Sequence, residues 1–292
     1  MRKKSYVIWS VLSILAMAIL PAPVTADTSW YLSLGTSLAA GETVDPINPK
    51  HLCDIVPETE LSYTDKIAEY TGLQHLKLGC SGETIDSFRD GPSINCDYRA
   101  GSQLLQAKEL IRKYGEDIGL ITIDMGANDV LPCFALYPGP KDQLFLLQCV
   151  LDATQHVRTE LEEIMVKLQD EVIAIDEDEY IPIIGMTYYN PFLIIAPQTQ
   201  PLLEIFNDAL RSVYLDPQFK NVYLADVALP FDSVDAILDL TLIFTCGNIH
   251  PNDEGYWQIA DTFINAIVDN EILDDDDDDD DDGDDDDDDD ED

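Results

Sequence analysis

Four short segments carry residues that could act together: Leu34-Gly35-Thr36-Ser37-Leu38, Gly79-Cys80-Ser81-Gly82-Glu83-Thr84, Met125-Gly126-Ala127-Asn128-Asp129-Val130 and Gly247-Asn248-Ile249-His250-Pro251-Asn252-Asp253-Glu254-Gly255-Tyr256. A serine hydroxyl is a poor nucleophile until a base takes its proton. Ser37 is the candidate nucleophile and His250 the candidate base, since His51, His75 and His156 stand in no comparable setting. Acyl transfer also needs donors aimed at the developing oxyanion, each typically worth about 10²–10³ in turnover. The backbone N–H groups of Ser37 and Gly82 and the side-chain amide of Asn128 would supply three. Taken singly, these residues have plainer uses. Gly35-Thr36-Ser37 makes an ordinary turn and helix cap, and Gly82 can simply provide a positive φ. Asn128 can cap a helix, and His250 can be a loop residue ahead of one, with Pro251 near the first turn.

The order of the segments matters because of the elements around them. Five short apolar runs, Ser29 to Leu34, Leu73 to Leu78, Gly119 to Met125, Tyr180 to Tyr188 and Asn221 to Val227, read as strands. Helical spacing relates Leu104, Ala107, Ile111 and Tyr114, then Val150, Thr154, Val157, Leu161, Ile164 and Leu168, and finally Tyr256, Ile259, Phe263 and Ile267. Nearly continuous apolar strands alternating with amphipathic helices predict an α/β fold, a five-stranded parallel sheet covered on both faces. In such sheets ligands bind beyond the carboxyl ends of the strands. Three of the four segments follow a strand and the fourth precedes the last helix, so all four can converge on one edge.

With their order and spacing, these four segments resemble the signature blocks of the SGNH/GDSL hydrolases, over roughly Ser29 to Val268. The resemblance implies a three-layer α/β/α flavodoxin-like fold and hydrolysis of carboxylic esters, of lipids or short acyl groups, without metal or other cofactor. It implies Ser37 as nucleophile, His250 as base, and Ser37, Gly82 and Asn128 as the oxyanion hole. Two positions depart from the pattern. Thr36 stands where the family usually has Asp, which would alter the hydrogen bonding of the turn without abolishing chemistry. Gly247 stands three residues before His250, where the family's acid usually lies. Losing the residue that orients a catalytic histidine can cost about 10⁴ in turnover. A backbone carbonyl near Gly247 or Asn248 is the favoured replacement, and Asp253 the nearest carboxylate. Gly247 also leaves room for a catalytically silent binding domain on the same scaffold, and a carbohydrate acetyl-esterase is a further alternative. Phe192-Leu193-Ile194-Ile195, within Pro191 to Pro201, reads either as an apolar lip for acyl chains or as plain core or a helix start.

The chain is acidic: 16 Lys and Arg against 58 Asp and Glu in 292 residues give a formal charge of −42, with 46% hydrophobic residues. Asp274 to Asp292 holds 18 of the negative charges, leaving −24 on the rest. That balance argues against nucleic acid or anionic lipid as a non-specific partner. Residues 274–292 read as a disordered poly-Asp tail, at most a weak cation binder, since such like-charge blocks repel themselves. Arg2, Lys3 and Lys4 ahead of the apolar run Tyr6 to Leu20, then Val24-Thr25-Ala26, predict an export signal over residues 1–26. One hydrolase domain over 27–273 follows, with no later segment apolar enough to span a bilayer. Export would leave the six cysteines oxidised. The family likeness suggests Cys53 with Cys80, Cys133 with Cys149 and Cys96 with Cys246, each bridge adding about 2–4 kcal/mol.

Overall fold

The structure is a computed structural model that describes residues 29–44, 53–135, 143–175 and 181–273. The expectations of an export signal and a poly-Asp tail lie outside these residues, as does His51.

In chain order the elements are β1 (Trp30–Gly35), α1 (Ser37–Ala40), β2 (Thr43–Val44), β3 (Ile55–Val56), α2 (Tyr63–Thr71), β4 (Gln74–Lys77), α3 (Ile85–Asp90), α4 (Gln103–Tyr114), β5 (Ile118–Asp124), α5 (Ala127–Ala135), α6 (Gln143–Ile173), β6 (Ile183–Met186), α7 (Gln200–Tyr214), β7 (Val222–Ala225), α8 (Val234–Leu240), α9 (Ile243–Cys246) and α10 (Asp253–Asp269). The main sheet has the order β4-β1-β5-β6-β7, and every pairing in it is parallel. Each strand falls within one residue of, or inside, an apolar run read from the sequence. β6 is shorter than its run because the chain leaves the sheet after Met186, and Tyr188 and Tyr189 turn toward the site. A two-residue antiparallel ladder, β2 with β3, was not foreseen; it is too short to show a period.

The helices form two groups. α2 and α8 pack against α10, whereas α3, α4, α5 and α7 gather around α6, and together they cover both faces of the sheet. The stripe Val150, Thr154, Val157, Leu161, Ile164 and Leu168 is the buried side of α6. Tyr256, Ile259, Phe263 and Ile267 are the buried side of α10. Helix starts are set locally. Ser62 and Asp65 form a reciprocal capping box on α2, and Asn252 caps α10 by accepting the Gly255 N–H at 2.9 Å.

The disulfides are Cys53–Cys246, Cys80–Cys96 and Cys133–Cys149. The third pairing is the expected one. The other two correct the expected Cys53–Cys80 and Cys96–Cys246. Cys80 and Cys96 are only 16 residues apart and close the α3 segment on itself. Cys53, beside the small ladder, reaches α9, the helix just before the His250 loop. All three bridges therefore lock segments that carry candidate site residues, since Cys133 stands in α5 with Asn128.

Candidate active site

The turn after β1 begins at Gly35, whose φ of +142° suits glycine. A Cβ there would lie 2.6 Å from the Asp124 carboxyl. That crowding reflects how the turn is held. Asp124 ends the neighbouring strand opposite Gly35, and its Oδ1 accepts both the Thr36 N–H at 2.7 Å and the Thr36 hydroxyl at 2.6 Å. Tyr63 donates its hydroxyl to the other oxygen at 2.9 Å. Burial pushes the Asp124 carboxyl up to about 7, even though these donors favour its ionised form. Thr36 thus caps α1 and hands the turn to a carboxylate on another strand.

Ser37 follows as the first residue of α1, largely buried, with its hydroxyl 2.8 Å from His250 Nε2. The loop carrying His250 is fixed from several directions. The His250 carbonyl accepts from Leu242 N–H at 2.9 Å, Thr241 bridges Pro251, and Tyr189 donates its hydroxyl to the Ile249 carbonyl at 2.7 Å. Burial lowers the imidazole below 6.5, partly offset by the Glu42 charge, so the ring is a neutral base at neutral pH.

The other ring nitrogen does not meet a backbone carbonyl, and this corrects the favoured expectation. His250 Nδ1 lies 2.6 Å from the side-chain oxygen of Asn248 and 3.3 Å from Glu42 Oε1. Gly247 ends α9 with φ +64° and has no neighbour where a side chain would begin. Asp253 is turned away, its carboxylate 2.8 Å from Lys66 Nζ.

The three expected oxyanion donors line one cavity with Ser37 and His250. Asn128 gives one amide hydrogen to the Glu83 carbonyl at 2.9 Å, and among the described residues the second meets no protein acceptor. Among the described residues, the N–H groups of Ser37 and Gly82 have no protein acceptor. Gly82 has φ +79°, and a Cβ there would press on the Asn95 side chain at 3.2 Å. The cavity is about 290 Å³, and Val130, Leu131, Phe134, Phe192, Leu203 and Phe206 form its apolar wall. Of the stretch read as lip or core, Phe192 lines the cavity and packs on Phe134 with ring centroids 5.3 Å apart, whereas Ile195 is 72% exposed.

A second serine–histidine pair exists, contrary to the expectation for His75. Ser33 Oγ is 2.8 Å from His75 Nε2, and His75 Nδ1 is 3.4 Å from Asp65 Oδ1. The Asp65 carboxyl, raised by burial, is pulled well below its ordinary value by hydrogen bonds from His75, Lys77 and Ser62. The connectivity is that of a catalytic triad. Ser33, however, is fully buried within β1, so no ester can approach it. His156 pairs with Asp86 at 3.1 Å on the surface.

The model of the GDSL-like lipase/acylhydrolase family matches residues 33–258. The chain belongs to this family. Membership makes it an ester hydrolase in general terms. Solved structures with the same fold include the lipase Lip_vut3 from a goat rumen metagenome (20% identical, covering 82% of this chain and 97% of that one, TM-score 0.52). An extracellular lipase from Streptomyces rimosus is 14% identical, with 82% and 99% coverage and a TM-score of 0.53. Phospholipase A1 from Streptomyces albidoflavus NA297 is 13% identical, with 82% and 99% coverage and a TM-score of 0.55. No curated protein matches the sequence. The four segments singled out in the sequence meet at the cavity. Glu42, Asp124 and the side chain of Asn248, of which only the backbone carbonyl was considered, escaped the sequence reading; for Glu42 the available signal was a lone charge between Leu38-Ala39-Ala40-Gly41 and Thr43-Val44.

Proposed function

We propose that the protein is a secreted serine esterase that cleaves carboxylic esters through an acyl-enzyme on Ser37. The observation that carries this reading is the 2.8 Å contact between Ser37 Oγ and His250 Nε2 on the wall of a cavity. His250 Nε2 takes the hydroxyl proton as Ser37 Oγ bonds to the ester carbonyl carbon, and the carbonyl oxygen becomes an anion. The Ser37 and Gly82 N–H groups and the second Asn128 amide hydrogen hold that anion. Collapse expels the alcohol, which leaves with the proton from His250, and Ser37 retains the acyl group. Water then gives its proton to His250 and attacks the acyl carbon; the acid departs and Ser37 Oγ recovers the proton.

The apolar wall favours an acyl group longer than acetyl, since acetyl would leave Phe134, Phe192 and Phe206 unused. Three disulfides and the absence, among the described residues, of any helix long and apolar enough to cross a membrane accord with export. The test is Ser37→Ala assayed on p-nitrophenyl esters from acetate to palmitate, alongside fluorophosphonate labelling. Turnover and labelling should both vanish in the variant, and the wild type should prefer chains longer than acetate. A variant that keeps full activity overturns the assignment.

A further inference from the structure

We infer that Glu42, from the turn after α1, is the positioning residue that steadies His250 as it gains a proton, in place of the acid that Gly247 cannot supply. The inference rests on the serine-esterase reading and specifies how that site works. Two acceptors face the one Nδ1–H: the Asn248 amide oxygen at 2.6 Å and Glu42 Oε1 at 3.3 Å. The amide oxygen also accepts the His250 backbone N–H at 3.0 Å, which fixes its orientation. Asn248 therefore holds the tautomer with Nδ1 protonated and leaves Nε2 bare toward Ser37. Being neutral, it does little for a buried imidazolium, and a buried cation without a counter-charge is costly.

Glu42 supplies that charge and is built into place. Its N–H donates to the Ser37 carbonyl at 2.9 Å, and its own carbonyl accepts the Tyr256 hydroxyl at 2.7 Å. The Ser81 hydroxyl donates to Oε2, which turns Oε1 toward the imidazole. The side chain is about 90% buried, and among the described residues no Lys or Arg pairs with it. Its charge gains a counter-ion only when His250 is protonated, as in the transition states for acylation and deacylation. An interaction that strengthens at that point lowers the barrier instead of merely tightening binding. Among the described residues, no other charge competes at the ring. Asp253 is engaged by Lys66, Asp124 by Thr36 and Tyr63, Tyr189 donates to the Ile249 carbonyl, and Tyr256 meets Glu42 only through its main chain.

The test is the pH dependence of kcat/KM on p-nitrophenyl butyrate for wild type, Glu42→Gln, Glu42→Asp and Asn248→Ala, with melting curves for each. Glu42→Gln should lower kcat about 10- to 100-fold, less than the loss where the tautomer also fails. It should also move the acid limb down by about one pH unit, because a nearby carboxylate favours the imidazolium. Asn248→Ala should lower kcat with the limb in place. Glu42→Asp should keep the limb at reduced rate. A Glu42→Gln enzyme with the wild-type limb and a kcat within twofold overturns the inference. If the glutamine variant does not fold, a Glu42→Asp limb displaced by a full unit overturns it instead. A wild-type protein whose Ser37 does not react with fluorophosphonate overturns the serine-esterase reading itself.

Discussion

Replacing Asp124 by Asn should make the protein more resistant to alkaline conditions, although the wild-type carboxyl accepts three hydrogen bonds. The group is fully buried, and its folded value is about 7 against an ordinary 3.8. The fold thus keeps a proton that the unfolded chain releases. Stability from this group is whole below pH 3.8, declines as pH rises, and levels off once the folded carboxyl ionises near 7. At 1.36 kcal/mol per pH unit the full decline is about 4 kcal/mol, of which about 3 kcal/mol falls above pH 5. Asparagine keeps the shape without the charge. Its oxygen can accept both Thr36 donors, and the Tyr63 hydroxyl can rotate to accept from its NH₂. Urea denaturation of wild type and Asp124→Asn at pH 5 and pH 8.5 isolates the term, because other titrating groups cancel in the double difference. The variant should gain about 3 kcal/mol on the wild type between the two pH values, or about 6–12 °C in melting temperature for a domain of this size. An unchanged gap, or one that moves against the variant, refutes the reasoning: the three donors would then have outweighed burial.

Asn128→Ala should lower kcat on p-nitrophenyl butyrate by about 10²–10³ with KM changed far less, since the lost donor acts on the oxyanion; a kcat within threefold of wild type counts against that role. Ser33→Ala should retain wild-type turnover and fluorophosphonate labelling while losing about 1 kcal/mol of stability with the His75 hydrogen bond. Loss of labelling in that variant would move the nucleophile from Ser37 to Ser33.

The strands were legible because a parallel sheet covered on both faces needs nearly unbroken apolar runs, and Leu32, Leu34, Ile121, Ile123 and Ile184 lie wholly inside. The long helices were legible because each buries one stripe. The meeting of Ser37 with His250 could be anticipated since both stand at element ends that such a sheet gathers on one edge. What stayed hidden depended on register or on chance neighbours across long separations. Tyr31, Ser33, His75 and Lys77 share one sheet face only because β1 and β4 pair with Ser33 opposite Lys77, and nothing in either strand alone announces it. The bridge from Cys53 to Cys246 spans 193 residues, a distance at which sequence offers no preference among partners.

The two departures from the family pattern have one physical explanation. Where the turn has Thr36 at the position at which the resemblance leads one to expect an acid, β1 and β5 pair with Gly35 opposite Asp124, so a carboxyl from the next strand accepts the Thr36 N–H and hydroxyl. Where Gly247 leaves no acid before the histidine, the short α1 ends at Gly41 with φ +80°, and the reversal there delivers Glu42 toward the imidazole. In each case the carboxylate arrives from a different stretch of chain. A hydrogen bond or a counter-charge depends on separation and burial, not on the route the backbone takes to bring it. The turn requires a hydrogen-bond acceptor and, in the serine-esterase reading, the base requires a counter-charge; neither fixes which residue number supplies it, so on that reading a chain can depart from the resemblance at both positions and still hold its turn and its base.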